Sequence, residues 1–326
     1  MECVRQTPYM LTGYLLWGTS LVTGKLISLI DQFCGQAEGL VPTAIPHLTL
    51  FRATIAEVPI ERAPDSAAIE PSLCVVVQGS KQATLGTRPF LYRAGHYSLI
   101  TVDLPATNIL VDATPASPFL GLTLKLDPDA LGDMVLAVPS RDGRQPPSWG
   151  MTPSPLDGHL TDSLTRLVTT LRNRQDVAVL APLIEREVTY RLLCGPQGSL
   201  LRQIAHADSR LSQIRKAIGW IRENYAEPIR IDDAADIAGM SLSTFHEHFK
   251  TVTSMSPLQY QKHLRLHAAR RQIVTGQADA GTAAFNVGYD SPSQFNREYK
   301  RLFGAPPRRD LSRLRKWIAE ESWMVA

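Results

Sequence analysis

The sequence GMSLSTFHEHFKTVTSMSP at residues 239–257 returns, in altered form, as GYDSPSQFNREYKRLFGAPP at residues 288–307, and this repeat decides the fold of the C-terminal part. In each copy a serine precedes a run with aromatic residues at helical spacing, and a lysine and a proline follow. The equivalent positions stand 50 residues apart: Ser241, Phe245, Phe249, Lys250 and Pro257 in the first copy, and Ser291, Phe295, Tyr299, Lys300 and Pro307 in the second. Such a repeat predicts two copies of one supersecondary unit.

Each copy has the pattern of a helix that begins after a tight turn. The serine hydroxyl can accept a hydrogen bond from a backbone N–H of the first helical turn, and Pro292 suits the first helical position of the second copy. Just upstream stand a small residue for close helix contact and a glycine for the turn: Ala235 and Gly239, then Ala284 and Gly288. This order predicts a helix-turn-helix in each copy.

A connecting helix is predicted between the two units, over residues 257–275. Its nineteen residues give roughly 28 Å at about 1.5 Å each, and adjacent major grooves on one face of DNA lie ~34 Å apart. The connector therefore has about the right length to bring two reading helices to successive grooves. Further helices are predicted near 209–225, 232–238, 242–251, 279–286, 292–302 and 311–322.

The last hundred or so residues resemble the AraC/XylS family of bacterial transcription regulators. The resemblance lies in SLSTFHEHFK, SPLQYQKHLRLHAARRQI and VGYDSPSQFNREYKRLFGAPPRR. It implies a sequence-specific, effector-responsive DNA-binding regulator in which helices near 242–251 and 292–302 read two successive major grooves. It also implies that six side chains face base edges: Ser243, His246, Glu247, Ser293, Gln294 and Arg297.

Side-chain chemistry makes the two reading helices unequal. Arg297 can pair with guanine through two hydrogen bonds and Gln294 can do so with adenine, whereas Glu247 stands where a basic residue is common. A carboxylate near phosphates is repelled unless it accepts a hydrogen bond from a cytosine amino group. The first unit is therefore expected either to read one cytosine or to contribute less affinity.

Two further groups of residues in this region have different predicted roles. Six cations on the reading helices and the connector are candidates for phosphate contacts, with a solvated surface charge as the alternative for each: Lys250, Arg265, Arg270, Arg271, Lys300 and Arg301. The aromatic residues, by contrast, repeat every three to four positions and are predicted to form the core beneath the reading face: Phe245, Phe249, Phe295 and Tyr299.

The region from residue 48 to residue 126 predicts an all-β domain. Short β-rich runs alternate with turn residues: LTLFRATIA, LCVVVQGSKQATLG, FLYRAGHYSLITVD, TNILVDATP and FLGLTLKL. Gln78-Gly79 predicts a hairpin and Ala94-Gly95 another turn. EPSLCVVVQGSKQATLG and GHYSLITVDLPAT resemble the sensor domain of one branch of these regulators, which implies a cupin-like barrel with a small-molecule effector pocket.

The predicted fold class is α+β and multidomain, with a cupin-like N-terminal β-barrel and an all-α C-terminal domain that holds two helix-turn-helix units. The predicted parts are an extension and first helix (1–40), the sensor domain (41–138), a linker and helical region (139–208), the DNA-binding domain (209–310) and a C-terminal helix (311–326). Within the sensor domain a helix is predicted from Asp127, and the first helix is predicted from Val22.

Two apolar stripes follow the proline-rich segment 139–158, and each predicts a helix. Their members are Leu160, Leu164, Leu167, Val168 and Leu171, then Leu180, Leu183, Ile184, Val188 and Leu192. The stripes fit a homodimer interface and fit packing on the β domain equally well.

Composition and charge limit the class of protein. Residues 1–208 carry 16 Lys and Arg against 19 Asp and Glu, whereas residues 209–326 carry 18 against 12, so that only the C-terminal part suits a polyanion. Charge alone leaves both nucleic acid and an anionic membrane open as that partner. The apolar segment 9–30 is too interrupted for a membrane span. Four scattered cysteines and the isolated His47, His96 and His159 predict neither a metal site nor another cofactor. A cytoplasmic, non-enzymatic regulator is expected, with RNA polymerase as a further partner.

Overall fold

The computed structural model describes residues 13–55, 59–60, 71–85, 88–102, 107–138, 153–206 and 209–312. The chain folds into two compact units that divide near residue 207. The first unit is rich in β-structure and the second is helical. Within these ranges, no helix has the length and hydropathy that a membrane span requires.

The first unit contains two antiparallel sheets. In spatial order, the six-stranded sheet consists of β1 (Gly39–Pro42), β2 (Leu48–Ala53), β9 (Phe119–Lys125), β4 (Ser72–Gln78), β7 (His96–Ile100) and β10 (Ser154–Pro155). The four-stranded sheet consists of β3 (Pro59–Ile60), β8 (Thr107–Asp112), β5 (Ser80–Leu85) and β6 (Arg88–Arg93). The predicted all-β region is therefore confirmed, while the described strands form two sheets and not one closed barrel.

The turn at Gly79 corrects one sequence prediction. Strands β4 and β5, on either side of Gly79, do not pair with each other but belong to different sheets, so the predicted hairpin at Gln78-Gly79 is wrong. Gly79 has φ +77°, and a Cβ there would lie 2.4 Å from the carbonyl oxygen of Asp112. Only glycine accommodates both that backbone angle and that approach, which lets the chain pass from one sheet to the other.

Five helices complete the first unit: α1 (Gly13–Cys34), α2 (Pro128–Ala137), α3 (Gly158–Thr170), α4 (Arg174–Cys194) and α5 (Gly198–Ala205). The predicted helix from Asp127 is confirmed, since the Asp127 carboxylate caps α2 by accepting from two backbone N–H groups. Helix α1 begins earlier than the predicted Val22, and α5 was not predicted. In the predicted linker, residues 139–152 lie outside the described residues, whereas β10 pairs with β7.

The two apolar stripes differ in how far their side chains are buried. The α3 stripe is buried at Leu160, Leu164, Leu167 and Val168. The α4 stripe is divided between two faces of its helix. Its buried members are Ile184, Val188 and Leu192, whereas Leu180 and Leu183 are 42% and 63% exposed.

Residues 209–306 of the second unit form six helices. They are α6 (Arg210–Glu223), α7 (Ile231–Ile237), α8 (Leu242–Thr253), α9 (Pro257–Val274), α10 (Ala280–Asn286) and α11 (Pro292–Phe303). Each lies within a few residues of a predicted helix, and the periodicity of the sequence is therefore confirmed here. Residues 307–312 are also helical, and the remainder of the predicted C-terminal helix lies outside the described residues.

Candidate nucleic-acid interface

Helices α7 and α8 form the first helix-turn-helix. The turn between them passes through Gly239 at φ +63°, a left-handed conformation that glycine adopts without steric cost. Ser241 then caps α8, because its hydroxyl accepts a hydrogen bond from the backbone N–H of Thr244 at 3.4 Å. Phe245 and Phe249 are fully buried beneath α8, and their ring centroids lie 5.3 Å apart. The cap and the two aromatic rings fix where α8 begins and which face it shows to solvent.

Helices α10 and α11 repeat this arrangement. Gly288 occupies the turn at φ +84°, and the hydroxyl of Ser291 accepts from the backbone N–H of Gln294 at 3.4 Å. Pro292 is the first residue of α11, where its missing N–H is not needed. Phe295 and Tyr299 are each 1% exposed. The predicted repeat of turn, cap and aromatic core is thus confirmed in both units.

The six residues predicted to face base edges all lie on exposed positions of α8 and α11. They are Ser243, His246, Glu247, Ser293, Gln294 and Arg297. Aromatic residues on the same two helices point into the core, so each helix separates a polar outer face from an apolar inner one. The structure brings each set of three together on one helix, and their contacts with bases stay predictions.

Glu298 lies beside the reading face of α11, and the sequence analysis did not single it out. It follows Arg297 on α11, but its side chain is only 14% exposed. Its carboxylate lies 2.8 Å from Nζ of Lys262 and accepts a hydrogen bond from the Tyr289 hydroxyl at 2.8 Å. Burial alone would raise its pKa, yet the hydrogen bonds from Lys262 and Tyr289 hold the pKa below its usual value. The negative charge is thereby kept paired, away from the exposed face that carries Arg297.

The predicted phosphate contacts divide into two groups. Lys250, Lys300 and Arg301 are exposed at the ends of the reading helices, and Arg271 is partly buried on α9. Arg270, by contrast, is 3% exposed, and its guanidinium donates to both carboxylate oxygens of Asp310 at 2.6 and 3.1 Å. The phosphate prediction for Arg270 is therefore wrong, because its side chain is already paired inside the protein.

Arg265 needs the same correction for a related reason. Its guanidinium donates to four backbone carbonyl groups, those of Tyr225, Ala226, Glu227 and Gly288. Four of the five N–H donors of the guanidinium are thus used inside the protein, so Arg265 is assigned to structure and not to a DNA contact. The sequence did offer one signal, since Gln261 and Arg265 stand four residues apart on one face of α9.

Two histidines on the connector α9 are partly buried. Burial and the nearby cations Arg301 and Lys262 lower the pKa of His263 to about 4. Burial, with His263 and Arg270 nearby, lowers the pKa of His267 to about 3. Nδ1 of His263 and Nε2 of His267 have no hydrogen-bond partner among the described residues. Both rings are therefore neutral at pH 7 and belong to the packing of this unit.

Comparisons with known proteins agree with this geometry. Residues 44–200 match the family model described as the N-terminus of AraC-type transcriptional regulators, and residues 234–313 match a helix-turn-helix domain. The chain is 26% identical over 210 residues to the HTH-type transcriptional activator RhaS of Enterobacter sp. (strain 638), which covers 64% of this chain and 69% of that protein. RhaS of Citrobacter koseri is also 26% identical, with the same coverage.

A solved structure with the same fold is unsaturated fatty acid bound wild-type ToxT from Vibrio cholerae strain SCE256. It has a TM-score of 0.50 at 8% identity, and the match covers 81% of this chain and 94% of that chain. At that identity the likeness concerns the fold alone. The two family models, the RhaS relatives and the repeated helix-turn-helix geometry together show that the chain belongs to the AraC family of DNA-binding transcription regulators.

Proposed function

We propose that this regulator reads two successive major grooves of its operator, one with α8 and one with α11. The observation that carries the proposal is the equivalence of the two units, each with a turn glycine, a serine cap and an exposed polar face. Helix α9, which joins them, has 18 residues and is therefore about 27 Å long. That length is of the order of the ~34 Å between adjacent major grooves on one face of DNA.

The base-reading roles follow from the chemistry of the exposed side chains. On α11, Arg297 suits guanine and Gln294 suits adenine, each through two hydrogen bonds, with Ser293 beside them. On α8, Ser243 and His246 donate or accept single hydrogen bonds, and Glu247 accepts from cytosine. Phosphates on either side are held by the exposed cations Lys250, Lys300 and Arg301 and by Arg271.

In vitro selection of bound duplexes from a random-sequence library tests this proposal with the full chain. Two half-sites about one helical turn apart (roughly 10 bp) are expected, because two reading helices on one face of DNA meet successive grooves. A variant with Gln294→Ala should lose base preference in one half-site only. A matched control is Gln277→Ala, an exposed glutamine in the loop between α9 and α10 that is given no role. Recovery of a single half-site by the unaltered chain would contradict the proposal.

For the N-terminal, β-rich unit of the fold we propose a sensor role within residues 41–138. The proposal includes a cupin-like arrangement of its two sheets and a small-molecule effector between them. The AraC-type family model over residues 44–200 supports this role, as does the fatty acid in the ToxT structure. Titration of the chain with an unsaturated fatty acid such as oleate, followed by DNA affinity, tests one effector class. A change in affinity at saturating ligand is expected, and none would exclude that class.

We also propose that the regulator is a homodimer through the outer face of α4. Val179, Leu183 and Tyr190 are 64%, 63% and 42% exposed and share one side of this helix. An exposed apolar face of this kind pairs with its own copy about a two-fold axis. Leu183→Glu should lower the mass seen in sedimentation to that of the monomer, whereas Leu136→Glu, at an 85% exposed leucine on α2, should not.

Two further expectations follow from the family. Because the RhaS relatives are named transcriptional activators, we propose that this chain also contacts RNA polymerase. A protein that acts on bacterial promoters would work in the cytoplasm.

We further propose the domain division given by the sequence, with residues 209–310 as the DNA-binding domain and residues 139–208 as the linker and helical region.

A further inference from the structure

We propose that Arg265, assisted by Gln261, is a positioning residue that fixes the relative placement of the two reading helices and thereby sets the half-site spacing that the protein accepts. The proposal rests on the reading of two grooves proposed above. Neither residue is assigned a base or a phosphate. Both lie on α9, the helix that joins the two helix-turn-helix units.

On one side, the two residues hold the loop that leads into the first unit. This loop follows α6 and includes Tyr225, Ala226 and Glu227. Arg265 donates from Nε to the carbonyl of Tyr225 at 2.6 Å, and from Nη2 to those of Ala226 and Glu227 at 3.1 and 3.0 Å. Gln261 donates from Nε2 to the carbonyls of Tyr225 and Glu227 at 3.0 and 2.8 Å. Five hydrogen bonds thus fasten one short loop to the connector.

On the other side, the same guanidinium holds the turn of the second unit. Nη1 of Arg265 donates to the carbonyl of Gly288 at 2.6 Å, and Gly288 is the turn residue between α10 and α11. A guanidinium is planar and rigid, with its donors in a fixed fork. One rigid group is therefore bonded at once to a loop of the first unit and to the turn of the second, which leaves little freedom between them.

The backbone of the second turn also lies against the loop that leads into the first helix-turn-helix unit. A Cβ built on Gly288 would lie 1.9 Å from the carbonyl oxygen of Ala226, so that only glycine fits. Tyr225, from the same loop, packs against the buried cluster of the second unit that includes Val287 and Tyr289. At the equivalent turn of the first unit, a Cβ on Gly239 would have its nearest neighbour 3.8 Å away. The close contact is thus specific to the second turn.

This arrangement has a consequence for DNA recognition. Inserting one base pair between two half-sites moves the second by about 3.4 Å along the axis and turns it by roughly 35°, since a turn holds 10–10.5 bp. Hydrogen bonds of 2.6–3.1 Å at Arg265 cannot follow such a displacement without breaking. The two units can then bind together only on DNA of the matching spacing, and avidity is lost when geometry forbids both.

The test uses the full chain and duplexes recovered by in vitro selection. Affinity is measured on the selected site, on sites with one or two base pairs inserted between the half-sites, and on a duplex with one half-site only. For the unaltered chain, one inserted pair should weaken binding by about tenfold or more, because one unit disengages. For Arg265→Lys, which keeps the charge but lacks the fork, that penalty should fall to about threefold or less, with single half-site affinity within about twofold.

Two further variants separate positioning from folding. Gly288→Ala drives a Cβ into the carbonyl of Ala226 and should relax the spacing preference as Arg265→Lys does, whereas Gly239→Ala, with the same left-handed backbone but open space, should not. Arg210→Ala, which removes an exposed arginine of the same unit, controls for charge. Circular dichroism melts identify any variant that fails to fold, and the folded ones decide the result.

The outcomes distinguish two failures. If the unaltered chain tolerates inserted base pairs, the proposed reading of two grooves is wrong. If it is sensitive to spacing and folded Arg265→Lys and Gly288→Ala proteins are equally sensitive, the positioning role of Arg265 is wrong while two-groove reading stands. A spacing preference that relaxes in both variants, with half-site affinity kept, supports the proposal.

Discussion

The two helix-turn-helix units share one backbone design but carry different charges. Glu247 of α8 and Arg297 of α11 occupy equivalent positions of the repeat, and both are exposed. Helix α7 has three exposed aspartates, whereas α10 has no charged residue. The one acid on the second reading helix, Glu298, is paired with Lys262. A common fold therefore does not imply a common share of the binding energy, and the second unit is the better match to a polyanion.

The two helix-turn-helix units also differ in the contacts and helix ends that stabilise them. The second has a close contact at Gly288, the buried pair of Arg270 with Asp310, and a glycine at the end of α11. The first ends α8 at Ser254, a residue with a side chain in a left-handed conformation. Rigidity in the second unit keeps the face with Arg297 in place, and pre-organisation of this kind strengthens binding.

The largest expected effect comes from Asp310→Ala, which removes the partner of a guanidinium that is 3% exposed. Tyr299, in the core beneath α11, loses the acceptor of its hydroxyl at the same time. An uncompensated buried charge should lower the free energy of unfolding of the second unit by about 3–5 kcal/mol. Hydrogen exchange should then speed up in α11 more than in α8. Equal acceleration in both helices, or the same loss in a control with exposed Asp290→Ala, would break the comparison.

Acid should weaken the packing around α9 and α11 next. The pKa values of His263 and His267 are lowered on folding to about 4 and about 3, so the unfolded chain binds more protons than the folded one below pH 6.5. Stability is therefore present at neutral pH and falls as the pH drops from 6.5 toward 4, by up to about 1.4 kcal/mol per pH unit for each histidine. Denaturant unfolding between pH 7 and 5 measures this. His267→Leu should flatten the curve, and a slope unchanged by that substitution would contradict the assignment.

Removing the charge at each of the two equivalent positions tests the inequality of the reading faces. Arg297→Ala should cost about 1–3 kcal/mol on the selected site and relax preference at one base pair. Glu247→Ala should cost less, and on non-specific DNA it should strengthen binding because it removes repulsion from phosphates. Binding titrations on the selected site and on a scrambled duplex separate the two. A larger loss for Glu247→Ala than for Arg297→Ala would reverse the order of the units.

The smallest effect is expected at the ends of the reading helices. Ser254 adopts φ +59°, and its buried hydroxyl has no hydrogen-bond partner among the described residues. Ser254→Gly should stabilise the first unit by roughly 0.5–1 kcal/mol, since glycine takes this conformation without steric cost. The matched Gly304→Ser, at φ +77°, should destabilise the second unit by a similar amount. Thermal unfolding of the two variants shows whether each substitution stabilises or destabilises the protein. A destabilised Ser254→Gly protein would refute the account of this cap.

Local rules were enough to predict much of the helical C-terminal unit, with both of its helix-turn-helix units, from the sequence. The serine caps, the turn glycines and the spacing of Phe245, Phe249, Phe295 and Tyr299 each act within one or two helical turns, and a sequence displays them directly. The roles of Arg265 and Arg270 could not be predicted in this way. Their partners stand 38 to 40 residues away for most of the bonds, so a surface cation and a buried structural one look alike along the chain.

The same limit applies to the N-terminal, β-rich unit of the fold. Alternating residues predicted strands, but whether β4 and β5 pair or diverge into two sheets depends on contacts such as that of Gly79 with Asp112, which no local pattern reveals. The stripe on α4 was divided for a similar reason. Its apolar side chains follow one helical period, whereas the neighbouring elements cover only the face with Ile184, Val188 and Leu192.

Affinity on isolated half-sites tests the central claim, the inequality of the two units, most directly. Each half of the selected site is placed alone in a duplex of unrelated sequence and titrated with the full chain. The half-site whose base preference is lost in Arg297→Ala should bind about tenfold or more tightly than the other, a difference of about 1.4 kcal/mol. Equal affinities, or tighter binding of the half-site read by α8, would contradict the account.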